Sequence, residues 1–136
     1  MANIDDANEI AKDWLQSVQA STKFTQIDDN NIVFHSGFVN PSEDEVTLLI
    51  SALNDGQFMV TDQGYTIWDL ETQGIEIAKK EDTRSTLLNG IIHNNQVNFD
   101  HQASAIFAQA SRQKLPEAIN HVLSAVLKVS DLAYIK

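Results

Sequence analysis

The sequence contains no cysteine, only two prolines and five glycines, and no long run of apolar residues. The absence of cysteine excludes disulfides, thiolate catalysis, zinc fingers and iron–sulfur clusters. It also agrees with a reducing compartment, so we expect a cytoplasmic protein. The N-terminus lacks a basic segment followed by an apolar run, which argues against a signal peptide, and no apolar run is long enough to cross a bilayer. The sequence therefore predicts a soluble protein.

Basic residues are scarce in the first half of the chain. Residues 1–76 hold 14 Asp and Glu but only two Lys, a net charge of −12, whereas residues 77–136 hold five acidic and seven basic residues, within a formal total of −10. Such an excess of negative charge repels phosphate, which disfavours binding to nucleic acid, and attracts a partner with a basic surface. The simpler interpretation is that the charge only keeps the protein in solution.

The apolar residues that are present follow helical and strand periodicities. Three- and four-residue spacing predicts amphipathic helices over residues 4–20 and from Pro116 towards the C-terminus, and we expect the first helix to cover another part of the structure. Short β-type runs separated by turn residues predict an antiparallel meander: 23–27, 32–36, 45–53 and 57–61. A second hairpin is predicted over 97–99 and 104–108.

Two shorter helices are predicted between these strands, over residues 66–73, ending at Gly74, and over residues 83–93. A competing interpretation makes residues 65–70 another strand. No internal repeat or linker divides the 136 residues. The sequence therefore predicts one α+β domain, residues 1–136, with an antiparallel sheet of four to six strands packed by an N-terminal helix, one or two central helices and a long C-terminal helix.

A strand runs into Thr61-Asp62-Gln63-Gly64-Tyr65-Thr66, and a short helix ending in glycine follows. This pattern resembles a bacterial and prophage family known as a domain of unknown function, number eighteen twenty-eight. The resemblance continues through Arg84 and the closing segment 129–132, and it covers roughly residues 30–134. It implies a small protein of bacterial or mobile-element origin, and it brings no activity with it.

Asp62 is the first candidate for chemistry, because it follows an apolar strand and stands beside Gly64. Asp62, Asp69 and Glu76 are candidate ligands for a hard divalent cation. Asp62, Glu76 and Lys79 also follow the order of acids and lysine in metal-dependent nucleases, although the last two would point to opposite faces of a strand. The favoured interpretation is structural: Asp62 accepts hydrogen bonds from nearby backbone amides and holds the turn.

No other pattern indicates catalysis. The four histidines have no metal-ligand spacing, and the sequence has no nucleophile elbow, phosphate-binding loop or dinucleotide fingerprint. We therefore assign no catalytic residue and no cofactor. The ten aromatic residues do not alternate with Lys or Arg, which argues against a platform for single-stranded nucleic acid, and most of them are expected in the core.

Three functional hypotheses follow. The first is a non-enzymatic acidic protein that binds a protein with a basic surface, in one form as an inhibitor or modulator of a nucleic-acid-handling system. Its predicted contact residues lie in loops and turns: Asp28, Asp29, Glu43, Asp44 and Glu45. The second is a metal-dependent hydrolase or nuclease centred on Asp62. The third is a homo-oligomeric structural component in which the apolar stripe of the C-terminal helix packs between subunits.

Overall fold

The computed structural model describes residues 4–77 and 82–135. Its strands are Lys23–Gln26 (β1), Asn31–Val39 (β2), Glu45–Ala52 (β3), Gln57–Thr61 (β4), Asn98–Asp100 (β5) and Ala105–Ser111 (β6). Its helices are Ile4–Ser21 (α1), Tyr65–Thr72 (α2), Thr83–Asn94 (α3) and Leu115–Ser130 (α4), with 3₁₀ turns at Asn54–Gly56 and Asp131–Tyr134. The predicted α+β class is confirmed, and the segment that admitted two interpretations forms a helix.

The six strands form one antiparallel sheet in the order β1-β2-β3-β4-β6-β5. The first four follow the predicted meander, since each pairs with its neighbour in the chain. The second predicted hairpin joins this meander through β6, which pairs with β4 so that Val60 lies opposite Ala108. Strands β1 and β5 are therefore the two edges of the sheet.

The core lies between one face of the sheet and helix α4. Alternate residues of the central strands point to this face, and Leu48, Ile50 and Val60 are almost completely buried. Val122 and Val126 of α4 are buried against them, and each such side chain stabilises the fold by about 1.5–3 kcal/mol. Much of the apolar stripe of α4 is thus buried within its own chain.

Helix α1 does not cover the sheet. Its apolar stripe faces solvent, with Ile10, Trp14 and Leu15 exposed to 63%, 64% and 57%. Only Thr22 separates α1 from β1, and the carbonyl oxygen of Ser21 would lie 2.5 Å from a Cβ placed on Gly37 of β2. The expectation that this stripe is buried is wrong, because three- and four-residue spacing identifies an amphipathic helix but not the surface that covers it.

No helix within the described ranges combines the length and the apolar character needed to cross a bilayer.

Candidate functional site

Asp62 holds the turn between β4 and α2 from inside the protein. Its side chain is buried, and its Oδ1 atom accepts hydrogen bonds from the backbone N–H groups of Gly64 and Ile106, both at 2.9 Å. Its Oδ2 atom accepts a third, longer hydrogen bond of 3.3 Å from the N–H group of Thr66. The structural interpretation of Asp62 is therefore confirmed.

The three candidate metal ligands are not gathered into one site. In the described part of the chain, no group of three or more His, Asp or Glu side chains is placed to hold a metal ion. Asp69 is buried, and its Oδ2 atom accepts hydrogen bonds from Ser42 Oγ at 3.0 Å and Gln73 Nε2 at 3.3 Å. Lys79 lies outside the described residues, so the structure does not describe the spatial arrangement of Asp62, Glu76 and Lys79.

The loop between β2 and β3 brings three of the predicted acidic residues together. Buried Asn40 organises this loop: its Oδ1 atom accepts from the N–H groups of Ser42 at 2.9 Å and Asp44 at 3.0 Å, and its own N–H donates to the carbonyl oxygen of Asp44 at 2.9 Å. Glu43 adopts a left-handed backbone conformation, with φ of 66°. The tight loop presents the side chains of residues 43–45 at the surface.

The same loop is fastened to helix α2 at two points. The hydroxyl group of Tyr65 donates a hydrogen bond of 2.5 Å to the carboxylate of Asp44. Ser42 Oγ donates to Asp69, and Gln73 Nε2 donates in turn to Ser42 Oγ at 3.0 Å. These contacts join residues that are more than 20 positions apart in the chain, which fixes the acidic loop relative to the helix.

Two aromatic side chains of α2 stand beside the acidic loop. The rings of Tyr65 and Trp68 lie 5.6 Å apart at an angle of 38°, and Trp68 is 58% exposed. They line an open cleft of about 710 Å³, together with Thr47, Asp62, Gln63, Gly64 and Ala103. We call the following set the acidic–aromatic surface: Glu43, Asp44, Glu45, Tyr65 and Trp68.

The remaining acidic residues of the prediction lie elsewhere. Asp28 and Asp29 occupy the β1–β2 turn, at the opposite end of β2 from the acidic loop, which is a separation of about 25 Å along an extended strand. The N–H group of Asn30 and the side chain of Asn31 donate to Asp28 and lower the pKa of its carboxyl group. The predicted contact residues therefore form two groups, and one flat partner surface touching both must span that distance.

The expectation that most aromatic side chains are buried is wrong. Six of the ten are substantially exposed: Trp14, Phe24, Phe38, Tyr65, Trp68 and Tyr134. The sequence contains a signal for the pair in α2, because Tyr65 and Trp68 are three residues apart and share one side of a helix whose other side holds Ile67 and Leu70. Their position beside the acidic loop depends on contacts across the chain and has no local signal.

Comparison with family models matches residues 36–129 to the family described as a domain of unknown function, DUF1828. This chain belongs to that family. The matched region covers more than two thirds of the chain and contains the whole acidic–aromatic surface, whereas α1 and β1 precede it. Comparison with curated proteins and with solved structures finds no significant match.

The environment of Tyr65 gives the fold a pH dependence under alkaline conditions. Partial burial of the phenol group, followed by its hydrogen bond to Asp44, raises the pKa of Tyr65 from 10.0 to about 12. Between these values the unfolded chain loses the phenol proton while the folded chain keeps it, so stability falls as the pH rises from about 10 to about 12. We expect Tyr65→Phe to remove this part of the pH dependence of the urea midpoint, with Tyr134→Phe as the control. An unchanged profile in Tyr65→Phe would contradict the assignment.

Proposed function

We propose that this protein is a small, non-enzymatic protein-binding module, and that the acidic–aromatic surface contacts a partner with a basic surface. The observation that carries the proposal is the hydrogen bond between Tyr65 and Asp44. It joins an exposed aromatic pair and an exposed acidic loop into a single surface. Neither group serves the core, since Trp68, Glu43 and Glu45 are all solvent-exposed.

The chemistry of this surface favours arginine and lysine as its ligands. Carboxylates form charge-assisted hydrogen bonds with guanidinium and ammonium groups, and the faces of Trp and Tyr attract the same cations. Tyr, Trp and Arg are also the residues that dominate binding energy at protein interfaces. An arginine of the partner that stacks on Trp68 would lie within reach of the neighbouring acidic loop, so one side chain would satisfy both kinds of contact.

The acidic loop is organised before any partner binds. Asn40 fixes its backbone, and the contacts of Ser42 and Asp44 with α2 fix its position relative to the two rings. Ordering a loop on binding costs free energy, so a loop that is already ordered gives higher affinity for the same contacts. Glu45 is held similarly, because its carboxylate lies 3.0 Å from Nδ1 of His35.

The overall charge supports a basic partner at longer range. Residues 1–76, which contain the acidic–aromatic surface, carry a net charge of −12, and such a field accelerates encounter with a positively charged protein. A specific form of the proposal is an inhibitor, of bacterial or prophage origin and acting in the cytoplasm, that occupies a groove in which its target normally holds phosphate. The same field disfavours direct binding to nucleic acid.

The test combines capture with matched variants. Protein immobilised through its C-terminus is used to capture partners at low and high salt, and the captured protein is then purified for measurement of Kd. We expect Trp68→Ala to raise this Kd at least tenfold, because truncation of a central aromatic residue costs about 2 kcal/mol or more. Neutralising the acidic loop, as Glu43→Gln, Asp44→Asn and Glu45→Gln together, is expected to have a similar effect and to reduce the salt dependence.

The control uses the acidic residues at the other end of β2. Neutralising Asp28 and Asp29 removes two negative charges far from the acidic–aromatic surface, and we expect it to change Kd less than about threefold. Equal losses in both sets of variants would show that only total charge matters. A Kd that Trp68→Ala leaves unchanged would overturn the proposal. For the inhibitor form, duplex DNA is expected to compete with this protein for the purified partner.

A further inference from the structure

An apolar groove lies on the face of the sheet that α4 covers only in part. Helix α4 packs mainly on β4 and β6 and reaches β3, and the groove opens where its first turns face β1 and the start of β2. The groove has a volume of about 320 Å³ and is lined by seven apolar side chains from the strands and the start of α4: Phe24, Ile32, Ile50, Phe58, Leu115, Pro116 and Ile119. Phe24 is 57% exposed, so an apolar surface of the core is left open to solvent at the groove.

Among the described residues, the same chain also has an apolar helix face that is exposed to solvent. Ile10, Trp14 and Leu15 follow one side of α1, whose 18 residues form a rod of about 27 Å. The single residue Thr22 joins α1 to β1. In the structure, α1 does not occupy the groove of its own chain. The chain therefore carries an unpartnered helix face and an unpartnered groove at the same time.

We propose that α1 of one copy docks in this groove of a second copy, and that two such contacts related by a two-fold axis form a homodimer. The two surfaces match in polarity. Apart from Arg112, the groove lining is apolar, as is the exposed face of α1. A reciprocal exchange of identical elements closes on itself and is a low-cost route to a dimer.

The areas agree with this proposal. Trp14 and Phe24 are each more than half exposed, and an aromatic side chain buries about 150–250 Å², so four such side chains in the dimer supply about 500 Å². Ile10, Leu15 and the groove walls add to this in both contacts. The four aromatic side chains alone therefore supply about half of the roughly 1,000 Å² that a specific protein interface needs as a minimum. No residue of the acidic–aromatic surface lines the groove or belongs to α1.

The first experiment measures mass in solution by light scattering after size-exclusion chromatography, over a dilution series of the full chain. We expect a mass of twice 15.1 kDa at high concentration. Trp14→Ala is expected to raise the dimer Kd at least 30-fold, whereas Gln16→Ala, on the polar side of the same helix, leaves it unchanged. A monomeric wild-type chain at every soluble concentration overturns the proposal, as does equal behaviour of the two variants.

A second experiment identifies the docking site by disulfide cross-linking. Because the sequence has no native cysteine, only the introduced cysteines can form a disulfide. A Leu15→Cys chain is mixed with a Pro116→Cys chain under oxidising conditions, Pro116 being an exposed residue of the groove wall. A mixed disulfide between the two chains supports the proposal. Disulfides only between two Leu15→Cys chains mean that the helices pair with each other, and the absence of any cross-link means that no copy docks. Both results overturn it.

Discussion

Asp62→Ala is expected to lower the free energy of unfolding by about 3–5 kcal/mol, since it leaves buried N–H groups without an acceptor. The carboxylate accepts from Gly64, Thr66 and Ile106, and the N–H group of Asp62 itself donates to the carbonyl oxygen of Ile106 at 3.1 Å. One residue therefore extends the pairing of β4 with β6 and also stabilises the start of α2, whose own N-cap residue, Gly64, has no side chain for this purpose. Urea unfolding measures the loss.

Two further variants separate this explanation from a general effect of charge. Asp62→Asn keeps the Oδ1 acceptor for two of the three amides, so we expect a loss of only about 1–2 kcal/mol. Asp100 makes similar contacts with the N–H groups of Gln102 and Ala103, but in an exposed turn where water replaces a lost acceptor. Asp100→Ala is therefore expected to cost less than about 1 kcal/mol. Equal losses for Asp62→Ala and Asp100→Ala would contradict the argument.

Gly64→Ala is expected to destabilise the protein by about 2–4 kcal/mol, because two separate costs coincide at this position. Its φ is +81°, a conformation that side chains disfavour, and an added Cβ would lie 2.6 Å from the carbonyl oxygen of Ala103. That oxygen belongs to the backbone of the β5–β6 turn and cannot rotate away. The turn and α2 would have to separate, which also changes the cleft that both of them line.

Gly74 provides the matched control for this substitution. It has the same φ of +81°, but an added Cβ would meet no atom within 4 Å. Gly74→Ala therefore measures the conformational cost alone, and we expect about 1 kcal/mol. The difference between the two variants isolates the contact with Ala103. Both losses of unfolding free energy are measured by denaturant unfolding with unchanged m-values. Similar losses for the two variants would show that the close approach to Ala103 costs no stability.

Features set by neighbouring residues were the ones that the sequence predicted. Turn residues such as Asp28, Asn54 and Gly56 mark the ends of strands, and the meander that they separate is confirmed. The helical interpretation of residues 66–73 and its end at Gly74 are also confirmed. These signals are local, since a positive φ or a side-chain hydrogen bond two residues away needs no other part of the chain.

Features set by distant residues could not be predicted. Nothing in the sequence near Ser111 or Gln57 states that β6 pairs with β4, because this pairing depends on the packing of α4 over both strands. The contact between Tyr65 and Asp44 is of the same kind. The sequence places all five predicted acidic contact residues in turns of one meander, but the turn with Asp28 and Asp29 and the loop with residues 43–45 lie at opposite ends of β2. The exposure of α1 depends on its connection to an edge strand and not on its own composition.

The position of the core residues along the chain determines which part of the sequence can vary without disturbing the interior. The lowest-numbered buried residue among those that the structure describes is Phe34, in the second strand. The leading helix can therefore be lengthened, shortened or given new side chains without a compensating change in the interior. Natural variation in α1 can therefore adapt to any molecule that this helix contacts, while the sheet stays the same.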